Sequence, residues 1–313
     1  MDETTDKKII TIILPCYNEE KNISILYREL ERVISHFRKY DWELLFINDG
    51  SSDLTINEIV KLQIKDENIK YIDLSRNFGK EAAMLAGLDH SIGDAVLIMD
   101  ADLQHPVDVI PEMIKYWEEG YDDIYGKRLY RGKESWLRRL LTRIFYKILS
   151  NTSKIEILPD VGDFRLLDRK CVDALKEMRE TERYTKGLYC WIGFKKKEIL
   201  IRQGERRAGK TAWNLRALFK LALNGITSFS SAPLQLMFTI GILFSFLAFC
   251  YLLFILFRTV IYGEPVRGFP TLVILILFLG GVQILCFGVL GLYLSRIFNE
   301  TKKRPPYIIR EKS

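Results

Sequence analysis

An α/β domain joined to a membrane hairpin is what this 313-residue sequence predicts. Three observations predict it: strand–helix alternation over the first 130 residues, two long uncharged runs near the C-terminus, and segregation of charge along the chain. The apolar runs Ile9–Leu14, Glu43–Asn48, Ile69–Leu74 and Ala95–Met99 have the length of strands, and each ends at polar or glycine residues. Between them Glu20–Lys39, Leu54–Lys65 and Lys80–Ser91 read as helices. Such alternation implies a mostly parallel sheet covered on both faces. Ligands of such sheets sit beyond the carboxyl ends of the strands. Those ends read Pro15-Cys16-Tyr17-Asn18-Glu19, Asn48-Asp49-Gly50-Ser51, Ser75-Arg76-Asn77-Phe78-Gly79-Lys80 and Asp100-Ala101-Asp102, so polar and largely acidic chemistry converges on one edge.

Leu234–Phe257 and Thr271–Ser295 carry no charge over 24 and 25 residues. At about 1.5 Å per residue, either exceeds a hydrocarbon core of roughly 30 Å as a helix. A short loop with glycine and proline separates them, which gives a two-helix transmembrane hairpin. Met1–Lys8 is polar, without the apolar stretch of a signal peptide. The six Lys/Arg after Ser295, against one Arg and one Glu in the loop, place the tail and the large N-terminal part in the cytoplasm. The expected location is therefore the plasma membrane, multi-pass, with both termini cytoplasmic.

The five cysteines form no C-x-x-C pair, which argues against a disulfide scaffold and a zinc finger. The net charge of +6 invites a nucleic-acid partner, but its distribution excludes one. Residues 1–126 carry 13 Lys/Arg against 26 Asp/Glu, residues 127–233 carry 25 against 11, and residues 234–313 carry 8 against 3. Two basic segments are amphipathic. Trp136 to Leu149 and Leu215 to Ile226 place apolar residues at helical spacing, with Arg138, Arg139, Arg143, Lys147, Arg216 and Lys220 between them. That is the composition of helices lying among lipid headgroups.

Asp100 and Asp102 follow an apolar strand one residue apart, where two carboxylates can share Mg2+ or Mn2+ with a diphosphate. The Asp49 turn offers a carboxylate to a nucleobase imide or to ribose hydroxyls. A rival motif is Gly204-Glu205-Arg206-Arg207-Ala208-Gly209-Lys210-Thr211, which fits the phosphate-loop pattern at every position. Its interior arginines and the lack of a later strand bearing an aspartate count against nucleotide hydrolysis. Arg206, Arg207 and Lys210, with Arg128 and Arg131, are better read as the basic residues that bring anionic substrates together.

Taken in order, Leu14-Pro15-Cys16-Tyr17-Asn18-Glu19, Asn48-Asp49-Gly50-Ser51, Ser75–Lys80, Asp100-Ala101-Asp102-Leu103-Gln104-His105-Pro106, Gly162-Asp163-Phe164-Arg165 and Lys186–Gly193 resemble the family-2 inverting glycosyltransferases of the GT-A fold. More narrowly, the chain resembles the polyprenyl-phosphate glycosyltransferases, which include undecaprenyl-phosphate glucosyl- and N-acetylglucosaminyltransferases and dolichol-phosphate mannose synthases. The resemblance implies a Rossmann-like GT-A domain over residues 1–211, including an amphipathic helix at about 135–150. It also implies an interfacial helix at 212–233, membrane helices at 234–261 and 271–295 around a loop at 262–270, and a basic tail at 296–313.

By the same resemblance Pro15, Tyr17, Glu19 and Asp49 hold the nucleoside, Lys80 and Asp100 lie near its ribose and diphosphate, and Asp102 is the principal metal ligand. Asp163 matches the catalytic base. Two departures stand out: Asn48 replaces the first aspartate of Asp-Asp-Gly-Ser, and Ala212 stands where the family has a lysine near the membrane, with Lys210 two positions earlier as the candidate to take its place. The implied reaction moves a sugar from a nucleotide donor, UDP-glucose or UDP-N-acetylglucosamine, to a polyprenyl phosphate with a divalent cation. A homo-oligomer is the expected assembly. The alternatives are a GDP-mannose donor, a nucleotide hydrolase and a non-catalytic membrane scaffold.

Overall fold

Eight strands form one sheet in the order β7-β5-β6-β4-β1-β2-β3-β8. The structure, a computed structural model, describes residues 7–129, 161–181, 183–201, 232–262 and 268–313. In chain order the strands are β1 Ile9–Cys16, β2 Asp41–Asn48, β3 Ile69–Leu74, β4 Ala95–Ile98, β5 Asp123–Arg128, β6 Val161–Asp168, β7 Lys196–Ile201 and β8 Ile309–Lys312. The described helices are α1 Ile23–Ile34, α2 Thr55–Gln63, α3 Lys80–His90, α4 Ile110–Glu118, α5 Arg169–Glu177, α6 Thr185–Trp191, α7 Ala232–Tyr262 and α8 Phe269–Thr301. β6 runs antiparallel to β4 and β5, and β8 antiparallel to β3; the remaining pairings are parallel. The four strands and three helices expected within the first hundred residues are all present. The segment at 135–150, Gly204–Thr211 and all of 212–233 but its last two residues, which begin α7, lie outside the described residues.

Successive side chains of a strand face opposite ways, and β1 feeds two cores accordingly. Ile10, Ile12, Leu14 and Cys16 pack with Leu26 and Leu30 of α1, Phe46 of β2 and Trp117 of α4. Ile13 packs on the other face with Leu45, Met84 and Leu88 of α3, Val96 and Leu175 of α5. In α1 the buried residues Ile23, Leu26, Leu30 and Val33 recur every three or four positions, which defines one apolar stripe. α3 lies so close to β1 that a Cβ at Gly87 would stand 2.4 Å from Ile13 Cγ2.

α7 and α8 form a helical hairpin. Phe244 and Phe278 meet edge to face at 5.5 Å, and Met237 Sδ lies 3.4 Å from Cys286 Sγ, so the two helices run antiparallel. Both present large apolar side chains outward, among them Phe238, Phe246, Phe257, Ile284 and Leu294. Within α8, the 24 residues Phe278–Thr301 are long and apolar enough to cross a membrane. Beyond Thr301 the chain does not trail away as a tail. It returns to the sheet as β8, which covers the free edge of β3.

Gly87→Ala tests the close approach of α3 to β1. Alanine gains up to about 1 kcal/mol of helix propensity, whereas overpacking a filled core costs about 1–3 kcal/mol. The expected result is a lower thermal unfolding midpoint; an unchanged or higher midpoint contradicts it.

Candidate functional site

The carboxyl ends of β1, β2, β3 and β4 open on one edge, and the antiparallel β6 begins there. Ile98 pairs with Arg165, so continuing the register by two residues sets Asp163 across from Asp100. Lys80, the first residue of α3, lies between them. Its Nζ is 2.6 Å from Asp100 Oδ1 and 2.8 Å from Asp163 Oδ2. Burial pulls the Lys80 pKa down, but Asp163 and Asp100 outweigh it and the ammonium is held above its usual range. Burial likewise raises Asp163, yet the Lys80 and Lys186 charges bring its carboxyl down to about 2. Asp163 Oδ1 is buried without a hydrogen-bond partner among the described residues.

Behind this triad the Thr185 hydroxyl, at the start of α6, donates a hydrogen bond to Glu81 Oε2. Burial first, and the neighbouring Asp163 charge second, push the Glu81 carboxyl up. His105 Nδ1 accepts the Asp100 N–H at 3.2 Å, while its ring stacks on Phe164 at 4.8 Å. Burial lowers the His105 pKa, in keeping with a neutral ring that accepts a hydrogen bond. Asp102 Oδ1 accepts the Gln104 N–H at 3.1 Å, and Leu103 between them takes the left-handed conformation at φ 61°. Arg165 is fully buried against Asp123, with Nη1 2.9 Å from Oδ2, and its guanidinium lies 3.4 Å from the Tyr189 ring centre.

The neighbouring turns are locked to one another. Asp49 accepts the N–H groups of Phe78 and Gly79 at 2.7 and 3.0 Å. Burial raises its pKa and these two donors oppose that rise. Asp49 thus braces the loop that delivers Lys80, a role its motif did not announce. Gly50 has φ 62°, and a Cβ there would stand 2.3 Å from the Arg76 carbonyl carbon. Only glycine fits such a contact. Asn18 Oδ1 accepts the Ser52 N–H and the Asn18 N–H donates to Ser51 Oγ, both at 2.9 Å, which ties the end of β1 to the end of β2.

The structure therefore brings Lys80, Asp100, Asp102 and Asp163 together at the edge that also carries Pro15, Tyr17, Glu19 and Asp49. Tyr17 is half exposed there, and the Glu19 N–H donates to Thr55 Oγ1 at 2.8 Å. Arg128 joins them: its Nη2 would stand 4.0 Å from a Cβ built on Gly162, beside Asp163. Arg131, Arg206, Arg207 and Lys210 lie outside the described residues. Sequence reasoning gave no role to Glu81, His105, Thr185 or Lys186. His105 and Lys186 stand inside quoted motifs, whereas nothing in the sequence couples Glu81 to Thr185. Asp100 and Asp102 are hard oxygen donors in a pair, a set that fits a divalent cation taking its other ligands from a diphosphate and water. Among the described residues no group of three or more His, Cys, Asp or Glu is gathered for a metal ion.

Residues 11–176 match the description "Glycosyl transferase family 2". The chain is 43% identical over 303 residues to the glycosyltransferase CsbB of Bacillus subtilis, covering 97% of this chain and 92% of that one. It is 42% identical to the prophage bactoprenol glucosyl transferase homolog of Escherichia coli K12, over 96% of this chain and 98% of the relative. It is 41% identical to the bactoprenol glucosyl transferase of Shigella phage SfX, over 97% and 99%. Among solved structures, glucosyl-3-phosphoglycerate synthase from Mycobacterium tuberculosis with Mn2+, UDP and phosphoglyceric acid aligns with a TM-score of 0.48 at 18% identity, over 70% of this chain and 76% of that one.

The Lys80 triad has a pH signature. The folded pKa of Asp163 lies below its ordinary 3.8, so the stabilisation is complete above about pH 4 and is lost as pH falls toward 2. Its size is about 2 kcal/mol. Lys80→Met removes it and leaves Asp163 buried beside Glu81. The acid unfolding midpoint of that variant is expected at higher pH than wild type, and coincident midpoints would show that Lys80 does not hold the carboxylates.

Proposed function

The chain belongs to glycosyl transferase family 2 and is a polyprenyl-phosphate glycosyltransferase; from that premise we propose that it transfers glucose, with inversion, from UDP-glucose to undecaprenyl phosphate at the cytoplasmic face of the membrane. The observation that carries the reaction is the Lys80 ammonium between Asp100 and Asp163, at the strand edge where the nucleoside turns meet. The bactoprenol glucosyl transferase names of relatives spanning nearly the whole chain support glucose and the lipid acceptor.

In the reaction a phosphate oxygen of the acceptor attacks the anomeric carbon as the bond from that carbon to the diphosphate breaks. A phosphate monoester has a second pKa of about 6, so the acceptor is mostly ionised at pH 7 and needs no strong base. A carboxyl with a pKa of about 2 is a weak base in any case. Asp163 therefore orients the acceptor or a sugar hydroxyl and accepts no proton in the rate-limiting step. Lys80, Lys186 and Arg128 offset the repulsion between that carboxylate and two anionic substrates. Pro15, Tyr17, Glu19 and Asp49 frame the nucleoside, and Arg131, Arg206, Arg207 and Lys210 meet acceptor phosphate at the membrane. Asp102, with Asp100, would hold Mg2+ or Mn2+, which would neutralise charge on the departing diphosphate.

Chain parity supports a hairpin that crosses the membrane twice. β7 before the hairpin and β8 after it belong to one sheet, so the number of crossings between Ile201 and Ile309 is even. If Phe278–Thr301 crosses, a second segment must cross too, and α7, at about 1.5 Å per residue over 31 residues, has the reach. The outward apolar side chains of both helices favour lipid over water.

Purified protein with undecaprenyl phosphate and a panel of nucleotide sugars, read by mass spectrometry, tests the reaction. UDP-glucose is expected to give the lipid-phosphate hexose, and Asp102→Ala to lower the rate by roughly 10²–10³-fold. Product from GDP-mannose alone would replace the donor, and ATP consumption without lipid would favour the hydrolase. Asp163→Asn is expected to abolish transfer, whereas wild-type turnover would remove Asp163 from the mechanism. For topology, a membrane-impermeant maleimide applied outside intact cells should label Glu264→Cys and spare Ser313→Cys; equal labelling of both contradicts the hairpin.

A further inference from the structure

We propose that Arg310, on the strand that follows the membrane hairpin, is a positioning residue for the donor end of the site. This rests on the assignment of Asp49 and Lys80 to the donor and extends it to a residue some 230 positions away in sequence. Arg310 grips the sheet with both arms of its guanidinium. Nη1 donates to Asp73 Oδ2 at 3.3 Å and Nη2 to the Ser75 carbonyl at 2.7 Å.

Each arm leads to one donor loop. Asp73 is buried on β3, where a carboxylate needs partners for its charge. Its other oxygen accepts Asn48 Nδ2 at 2.7 Å, and Asn48 Oδ1 accepts the Ser51 N–H at 3.3 Å. The first arm therefore fixes the turn that carries Asp49. An aspartate at position 48 would face Asp73 as a second negative charge, so the departure from Asp-Asp-Gly-Ser suits this network. The second arm holds Ser75, whose N–H also donates to the Ile308 carbonyl at 2.9 Å. Ser75 is thus gripped on both sides where β3 gives way to the loop ending at Lys80. The two loops then lock together through Asp49 and the Phe78 and Gly79 N–H groups. Moving β8 moves both.

The full-length protein in detergent tests this, with UDP-glucose binding measured by calorimetry in the absence of lipid and transfer kinetics measured separately. Arg310→Ala is expected to weaken UDP-glucose binding and raise its KM by about tenfold, as a misplaced binding group does, with the acceptor KM unchanged. Arg310→Lys should recover part of the loss. Asp73→Asn should resemble Arg310→Ala, and the double variant should be little worse than either alone, because both act through one contact. Glu311→Gln replaces the charged acceptor of the Tyr71 hydroxyl on β8 with a neutral one and leaves the Arg310 contacts to Asp73 and Ser75 in place, and should bind UDP-glucose as wild type does. Unchanged donor binding in Arg310→Ala, fully additive losses in the double variant, or an equal loss in Glu311→Gln would each overturn the proposal. A wild-type chain that binds UDP-glucose but does not glycosylate the lipid would overturn the function and leave this test standing.

Discussion

A single ammonium, Lys80 Nζ, stands within 2.8 Å of two carboxylates on neighbouring strands, and the rest of the site is arranged around the need to keep it there. Two like charges about 5 Å apart repel by roughly 3 kcal/mol at an effective dielectric near 20. Glu81 and Asp102 add to the local negative field. The lysine offsets this only if its backbone is fixed, and the chain fixes it at the first residue of α3. Asp49 takes the two N–H groups just before that helix, and Gly79 supplies a backbone conformation at φ 97° that lets the loop turn into it. The carboxylate motifs and the glycine-bearing turns are thus parts of one electrostatic solution.

The return of the chain as β8 imposes a second constraint. An open β3 edge would present unpaired backbone groups, a known liability of sheets. Here the strand emerging from the hairpin covers that edge, and the segment before it ties the hairpin down. Glu300 near the end of α8 accepts the Thr181 N–H at 2.7 Å, and Tyr307 and Arg179 share the Asp89 carboxylate. An acid in the last turn of a helix opposes the helix dipole; contact with Thr181 gives Glu300 a compensating donor. Because α6 begins just beyond Thr181 and carries Thr185 and Lys186, the hairpin is fastened to both sides of the site. The hairpin and the candidate site are then fastened by the same set of bonds.

The central strands were legible because buried parallel strands read as short apolar runs, as β1 to β4 do. The helices between them were legible from their stripes, although α1 starts three residues later than its polar onset suggested. β5 and β6 were harder. Asp123 and Arg165 look like surface residues, yet they are a buried pair in the sheet, and only the fold shows that each is the other's partner. β8 hid for a similar reason: Ile309-Arg310-Glu311-Lys312 has one apolar residue in four and reads as a solvated basic tail. In the site, Asp100, Asp102 and Asp163 were legible from motif and strand end. The bracing role of Asp49 and the coupling of Glu81 to Thr185 were not, because they depend on contacts across 29 and 104 residues of sequence.

The lowered pKa of Asp163 bears on how the site would use the acceptor proposed for it. A hydroxyl acceptor holds its proton far above pH 7, and a carboxylate near pKa 2 could remove it only at great cost in driving force. A phosphate that arrives already ionised asks for something else: positive charge to admit it beside a carboxylate, and a fixed acceptor of hydrogen bonds to align the attack. In the proposed reaction Lys80, Lys186 and Arg128 would provide the first, and Asp163, with one oxygen held by Lys80 and the other without a hydrogen-bond partner among the described residues, would serve the second. The division of charge along the chain has the same logic. Residues 1–126 carry an excess of 13 acidic charges and residues 127–313 an excess of 19 basic ones, the split that the proposed donor and acceptor would call for, so the modest net charge of +6 is the remainder of two opposed parts.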